Sequence, residues 1–162
     1  MTKDLHASYT EGLLMSTVLK HSALDQVHCF VSLLPEPRTL KTGWAVDYTV
    51  GITVTLHKTT DPRAEFEAQR RVTALGVVPE DSVKTVPGLG DKAYLVTQGL
   101  GSTELRVVEG GAVLSLSLSG VPRYMDEGED DVIGEGPATP DLSPYQSAMV
   151  SDMRDLMASL KR

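Results

Sequence analysis

The stretch Trp44 to His57, WAVDYTVGITVTLH, alternates without a break: Trp44, Val46, Tyr48, Val50, Ile52, Val54 and Leu56 interleave with Ala45, Asp47, Thr49, Gly51, Thr53, Thr55 and His57. A period of two over that distance demands a β-sheet with one covered face. At ~3.3 Å per residue the strand extends on the order of 40 Å, longer than most, so a bend or bulge is expected at Gly51. Asp47 falls among the polar positions of this run and needs no partner there.

Further alternating runs follow. Ser82 to Val86, Lys92 to Gln98, Thr103 to Glu109 and Ala112 to Ser119 read as strands separated by PGLGD, GLGS and GG. Gly110 and Gly111 form a two-residue hairpin signal, because the favoured turns require positive φ. Upstream, Val27 to Leu34 is apolar, partly β-branched and stopped by Pro35 and Pro37, as a strand would be.

Three segments have helical spacing. Thr10 to His21 places Leu13, Leu14, Val18 and Leu19 on one helical side, with Thr10 as N-cap. Asp61, Pro62 and Gly76 bracket a second helix with the stripe Ala64, Ala68, Val72 and Leu75. Phe66 lies nearly opposite that stripe, either under a loop or as an exposed contact. In the last segment Ser143 and Gln146 form a capping-box pattern ahead of Met149, Met153, Met157, Leu156 and Leu160. These elements predict an α+β fold: an antiparallel-rich sheet of about six strands with helices packed on it.

The 162 residues suit a single domain spanning 1–162. The net charge of −7 is concentrated between Pro122 and Pro144. There Asp126, Glu127, Glu129, Asp130, Asp131, Glu135 and Asp141 stand against Arg123, while the remainder carries 15 acids and 14 bases. That segment, 122–144, has four prolines and no periodicity, and reads as an acidic mobile loop. The balance gives no footprint for nucleic acid, and no run of about 18 apolar residues marks a transmembrane segment. No export signal is recognisable at the N-terminus, so the protein is either cytoplasmic or exported with its signal removed. Cys29 is the single cysteine, which excludes an intrachain disulfide and reads as a small core residue.

Motifs of chemistry are sparse. Neither Gly88-Leu-Gly90 nor Gly99-Leu-Gly101 precedes a helix pattern, and a phosphate loop needs its glycine amides at a helix N-terminus, so both are hairpin corners. There is no G-x-S-x-G, and His6, His21, His28 and His57 lack zinc spacings. No catalytic residue, metal site or cofactor is therefore assigned, and the chain is read as not an enzyme. One surface stands out. Thr49, Thr53 and Thr55, with Ser115, Ser117 and Ser119, supply an uncharged hydroxyl face if their strands share a sheet, and Phe66 adds an apolar contact. Such a face suits a small polar ligand or a protein partner, although a wetted sheet surface has the same composition.

The segment PGLGDKAY (Pro87 to Tyr94), then a strand, then LRVVEGGAVLSLSLSG and a terminal amphipathic helix, resembles a pattern in small actinobacterial extracytoplasmic proteins. These include cell-envelope lipoproteins and domains similar to the PknH-type external sensor. The absence of Asn and the scarcity of Ile fit a GC-rich genome. The resemblance implies an extracytoplasmic, non-catalytic binding or sensor module and transfers no catalytic residues. Two other readings stay open. One is an assembly subunit, a homo-oligomer joined through the methionines of the terminal helix or a sheet edge. The other is a hydrolase whose Ser, His and acid meet only in space.

Overall fold

The computed structural model describes residues 9–35, 44–73, 76–99, 101–124 and 138–161. Along the chain run β1 (Tyr9–Lys20), β2 (Leu24–Pro35), β3 (Trp44–His57), α1 (Arg63–Ala68), β4 (Val72–Thr73), β5 (Gly76–Val77), β6 (Val83–Thr85), β7 (Lys92–Gln98), β8 (Ser102–Glu109), β9 (Ala112–Tyr124) and α2 (Gln146–Leu160). Seven strands form one antiparallel sheet in the order β1-β2-β3-β9-β8-β7-β6, and β4 pairs with β5 in a separate small ribbon. The fold is α+β but dominated by the sheet.

Alternation decides which face each side chain takes. On one face Tyr48 and Val50 of β3, Leu114, Leu116 and Leu118 of β9, Leu105 and Val107 of β8 and Leu95 of β7 are buried beneath α2. That helix docks through Met149, Met153 and Met157. The methionine stripe is thus core, and any self-association must use another surface. On the opposite face α1 covers only the β7–β8 end, where Phe66, Tyr94, Val96 and Val108 form a second, smaller cluster.

Several expectations are corrected. Residues from Thr10 onward form β1, not a helix. Gly12, Ser16, Thr17 and Val18 are weak helix formers, and the run pairs antiparallel with β2 from Tyr9↔Pro35 to Lys20↔Asp25. The irregularity in the sheet lies in β1, between Glu11 and Leu14, and not at Gly51, whose register with Phe30 and Ser117 is unbroken. A Cβ on Gly51 would stand 2.6 Å from Ser117 Oγ, so the glycine admits a cross-strand neighbour and bends nothing.

The helix begun by Pro62 ends at Ala68, because β-branched Val72 and Thr73 turn back onto Gly76 and Val77. Its orientation is reversed as well: Phe66 is buried and stacks on Tyr94 at 5.5 Å, whereas Ala64 and Ala68 are exposed. Finally, Ser143 does not cap α2. The chain enters through a 3₁₀ turn, Ser143–Tyr145, and Asp141 Oδ1 accepts the Ser143 N–H at 2.9 Å. The expected loop at 122–144 is shortened at both ends, since β9 runs to Tyr124 and residues 138–144 lead into this turn. Its centre, with Asp126, Glu127, Glu129, Asp130, Asp131 and Glu135, lies outside the described residues.

Candidate functional site

PGLGDKAY is a corner in the structure and also the dock for α1. Gly88 (φ 70°) and Gly90 (φ 62°) turn the chain from β6 into β7, and Leu89 between them is buried in the main core. Asp91 then receives the Gly110 N–H at 2.9 Å and the Arg63 guanidinium at 2.5 Å, joining two hairpin corners to the start of α1. Two residues on, the Tyr94 hydroxyl donates to Glu67 at 2.8 Å, and Lys92 reaches the same carboxylate at 2.6 Å. The motif therefore fixes α1 by one aromatic stack and two charge contacts.

These contacts set the acid behaviour of this end of the molecule. The Gly110 N–H and then Arg63 hold the Asp91 carboxyl below its ordinary range, and the Arg63 amide and guanidinium do the same for Asp61. For Glu67, burial pushes upward, but Lys92 and Tyr94 outweigh it and the net direction is down. A carboxylate depressed on folding contributes stability that is fully present above its unfolded value and is lost as pH falls through the folded one. Denaturant titrations at stepped pH should therefore show stability level above about pH 5 and falling below pH 4. In Asp91→Asn the decline should be shallower, starting from a lower plateau at pH 7.

The hydroxyl residues come together as the alternation requires. Cross-strand register puts Thr49 beside Ser119, Gly51 beside Ser117 and Thr53 beside Ser115, all on the face opposite α2; the threonines and serines are half-buried and Gly51 is buried. The neighbouring β2 adds two polar partners. Gln26 Nε2 donates to Thr55 Oγ1 at 3.0 Å, and His28 Nδ1 shares a 2.8 Å hydrogen bond with Thr53 Oγ1. Cys29 points to the other face, beside Ile52 and Ser16.

Where α1 overhangs this face it leaves a cleft of ≈ 340 Å³. Its floor is Gln26, Thr55, Val113, Ser115 and Arg106, and its overhang is Phe66, Gln69 and Glu65. Of the residues singled out in the sequence, Thr55, Ser115 and Phe66 line it. Thr49, Thr53, Ser117 and Ser119 continue the same face outside it. Arg106 ties the two sides: one guanidinium nitrogen donates to the Gln69 carbonyl at 3.0 Å and another meets Glu104 at 2.6 Å. Both side chains of that ion pair are only 16% exposed, so the cation is neutralised where it borders the cleft. Gln26 and Arg106 were not found from the sequence. Their parity on β2 and β8 was available, but their place beside Thr55 and Ser115 follows only from the strand order.

The chemistry on offer is hydrogen bonding. Ser115 and His57 both line the cleft, with Glu65 across from them. However, Ser115 is in register with Thr53, four residues from His57, which separates the two by ~13 Å along the strands at ~3.3 Å per residue. That distance exceeds what a nucleophile and its base can bridge. Among the described residues no group of three or more His, Cys, Asp or Glu could hold a metal ion. Asp47 is the exception to the polar face's even pairing. Its Oδ2 accepts from Arg123 Nε at 2.8 Å, while Oδ1 is buried without a hydrogen-bond partner among the described residues, so it does require an explanation that alternation alone does not supply.

No helix among the described residues is long and apolar enough to cross a membrane. No protein-family model matches the chain, and no curated protein or solved structure is significantly similar to it.

Proposed function

We propose that the protein is a non-catalytic binding module that takes a small, uncharged, hydrogen-bonding molecule in the cleft beneath α1, and that it serves as a sensor-like domain of the bacterial cell envelope. The observation that carries this reading is the cleft itself. Its ≈ 340 Å³ falls within the range of small-molecule sites. Its walls alternate hydroxyl and amide groups (Thr55, Ser115, Gln26, Gln69) with apolar surface from Leu24, Phe66, Val72 and Val113. A ligand with one apolar face and several hydroxyl or amide groups matches that lining, and the Glu104 partner of Arg106 removes the incentive for an anion. The envelope location rests on the likeness of Pro87 to Tyr94 to small extracytoplasmic proteins.

A direct test is NMR titration of the labelled protein with neutral mono- and disaccharides, nucleosides and amino-acid amides. The expected result is saturable shifts at Gln26, Thr55, Gln69, Arg106 and Ser115 with at least one of these probes. Ser115→Phe, which places a ring in the cleft from a half-buried position, should weaken that binding at least tenfold while leaving the thermal midpoint within a few degrees. Shifts scattered elsewhere, or affinity indifferent to Ser115→Phe, would remove the cleft from the account. Fractionation of cells carrying the full-length gene product tests the location separately, and a strictly cytosolic protein would contradict it.

A further inference from the structure

We propose that β1 is the seam of a symmetric dimer, in which two copies of the chain join their sheets edge to edge through antiparallel β1 strands. Among the described residues the strand order leaves β1 with a neighbour on one side only, and the opposite edge, β6, is three residues long. Proteins usually guard a long edge with charge, proline or a bulge. Between Leu14 and Leu19 the chain reads LMSTVL and has none of these; the irregularity sits before Leu14 and the first charge after it is Lys20.

Exposure here is unusual in affecting both faces. Leu14 (67% exposed) and Val18 (64%) lie on the α2 side of the sheet, beyond the reach of that helix, while Met15 (46%) and Leu19 (53%) lie on the hydroxyl side. A partner lying flat on the sheet would cover one pair and leave the other in water. A strand added to the edge flanks both pairs and also satisfies the outward amides and carbonyls.

A second copy fits the edge for a geometric reason. An antiparallel ladder has a two-fold axis, and an axis normal to the sheet keeps each residue on its own face, so only registers that pair residues of equal parity are allowed. With the axis at Ser16, Leu14 of one copy opposes Val18 of the other, twice, and the two Ser16 residues meet. The four exposed side chains present on the order of 400 Å² per copy. That is about half of the ~800 Å² per partner of a standard interface, which places the contact in the weak, transient class. Such a dimer dissociates on dilution. The cleft reaches β2 through Leu24 and Gln26 but includes no β1 residue, so the seam and the cleft are tested separately.

Sedimentation equilibrium on the full chain across a hundredfold concentration range should show the mass rising from one chain to two. Val18→Lys, at an exposed position, should hold it at one chain with unchanged circular dichroism. Register is tested by Ser16→Cys, made together with Cys29→Ser because residues 16 and 29 are cross-strand neighbours. Mild oxidation should then give a covalent dimer. A single-chain mass at every concentration, or a dimer that survives Val18→Lys, overturns the seam. A dimer sensitive to Val18→Lys that yields no Ser16→Cys cross-link overturns the two-fold placement.

Discussion

Gly90→Ala is expected to lower the thermal midpoint by about 10 °C, whereas Gly88→Ala, two residues earlier in the same corner, should lower it by only about 3 °C. Both glycines hold positive φ, 70° at Gly88 and 62° at Gly90, and each alanine incurs the left-handed penalty of roughly 1–2 kcal/mol. What separates them is space. A Cβ on Gly88 meets nothing within 4 Å, while one on Gly90 would stand 2.5 Å from Val107 Cγ1 and 2.8 Å from the Val108 carbonyl oxygen. Val107 is fully buried and the carbonyl is backbone, so neither can give way without disturbing β8, which adds roughly 1–3 kcal/mol of overpacking. The Asp91 N–H also bonds Val108 O at 2.9 Å, so displacing that carbonyl loosens the residue that anchors Arg63 and Gly110. Parallel thermal melts of the two variants measure the difference. Equal losses would mean that the close approach to β8 contributes nothing.

Met153→Ala should cost about 2–5 kcal/mol, and Met153→Leu less than about 1.5. Met153 is fully buried at the centre of α2, between Met149 and Met157, against the leucines and valines of β3, β9 and β8. Alanine leaves a cavity that the sheet cannot collapse to fill, because its opposite face is held by cross-strand register. Leucine keeps most of the volume. Leu160→Ala is the internal control: at 56% exposure it should change stability by less than about 0.5 kcal/mol. Denaturant unfolding of the three variants reads the order directly. A small effect at Met153 would mean that the methionine stripe does not carry the helix.

The parts of this fold that were legible in the sequence are those fixed by short-range pattern. Alternation puts Thr49, Thr53 and Thr55 on one side of β3 and the serines on one side of β9, and the Gly110-Gly111 turn sets β9 against β8, because parity and a tight hairpin decide these locally; that the two sets share one face follows only from the distant pairing of β3 with β9. The parts that were not legible depend on distant partners. The apolar residues of Thr10 to Lys20 fit one side of a helix and equally fit both faces of an edge strand. Only pairing with β2 distinguishes the two. Counting apolar positions favoured the alanines of α1, but one aromatic ring outweighs two methyl groups once Tyr94, twenty-eight residues later, lies beneath Phe66. The cleft needed both α1 and the order β2-β3-β9-β8 before Gln26 and Arg106 could be seen beside Thr55 and Ser115.

Whether the cleft beneath α1 holds a molecule is read most directly from a native mass spectrum of the protein purified from its own cells, beside that of Ser115→Phe. The prediction is a non-covalent mass of a few hundred daltons on the unaltered protein, shed on denaturation and absent from the variant. A bare chain mass in both, together with NMR shifts that never localise to Gln26, Thr55 and Ser115, would contradict it.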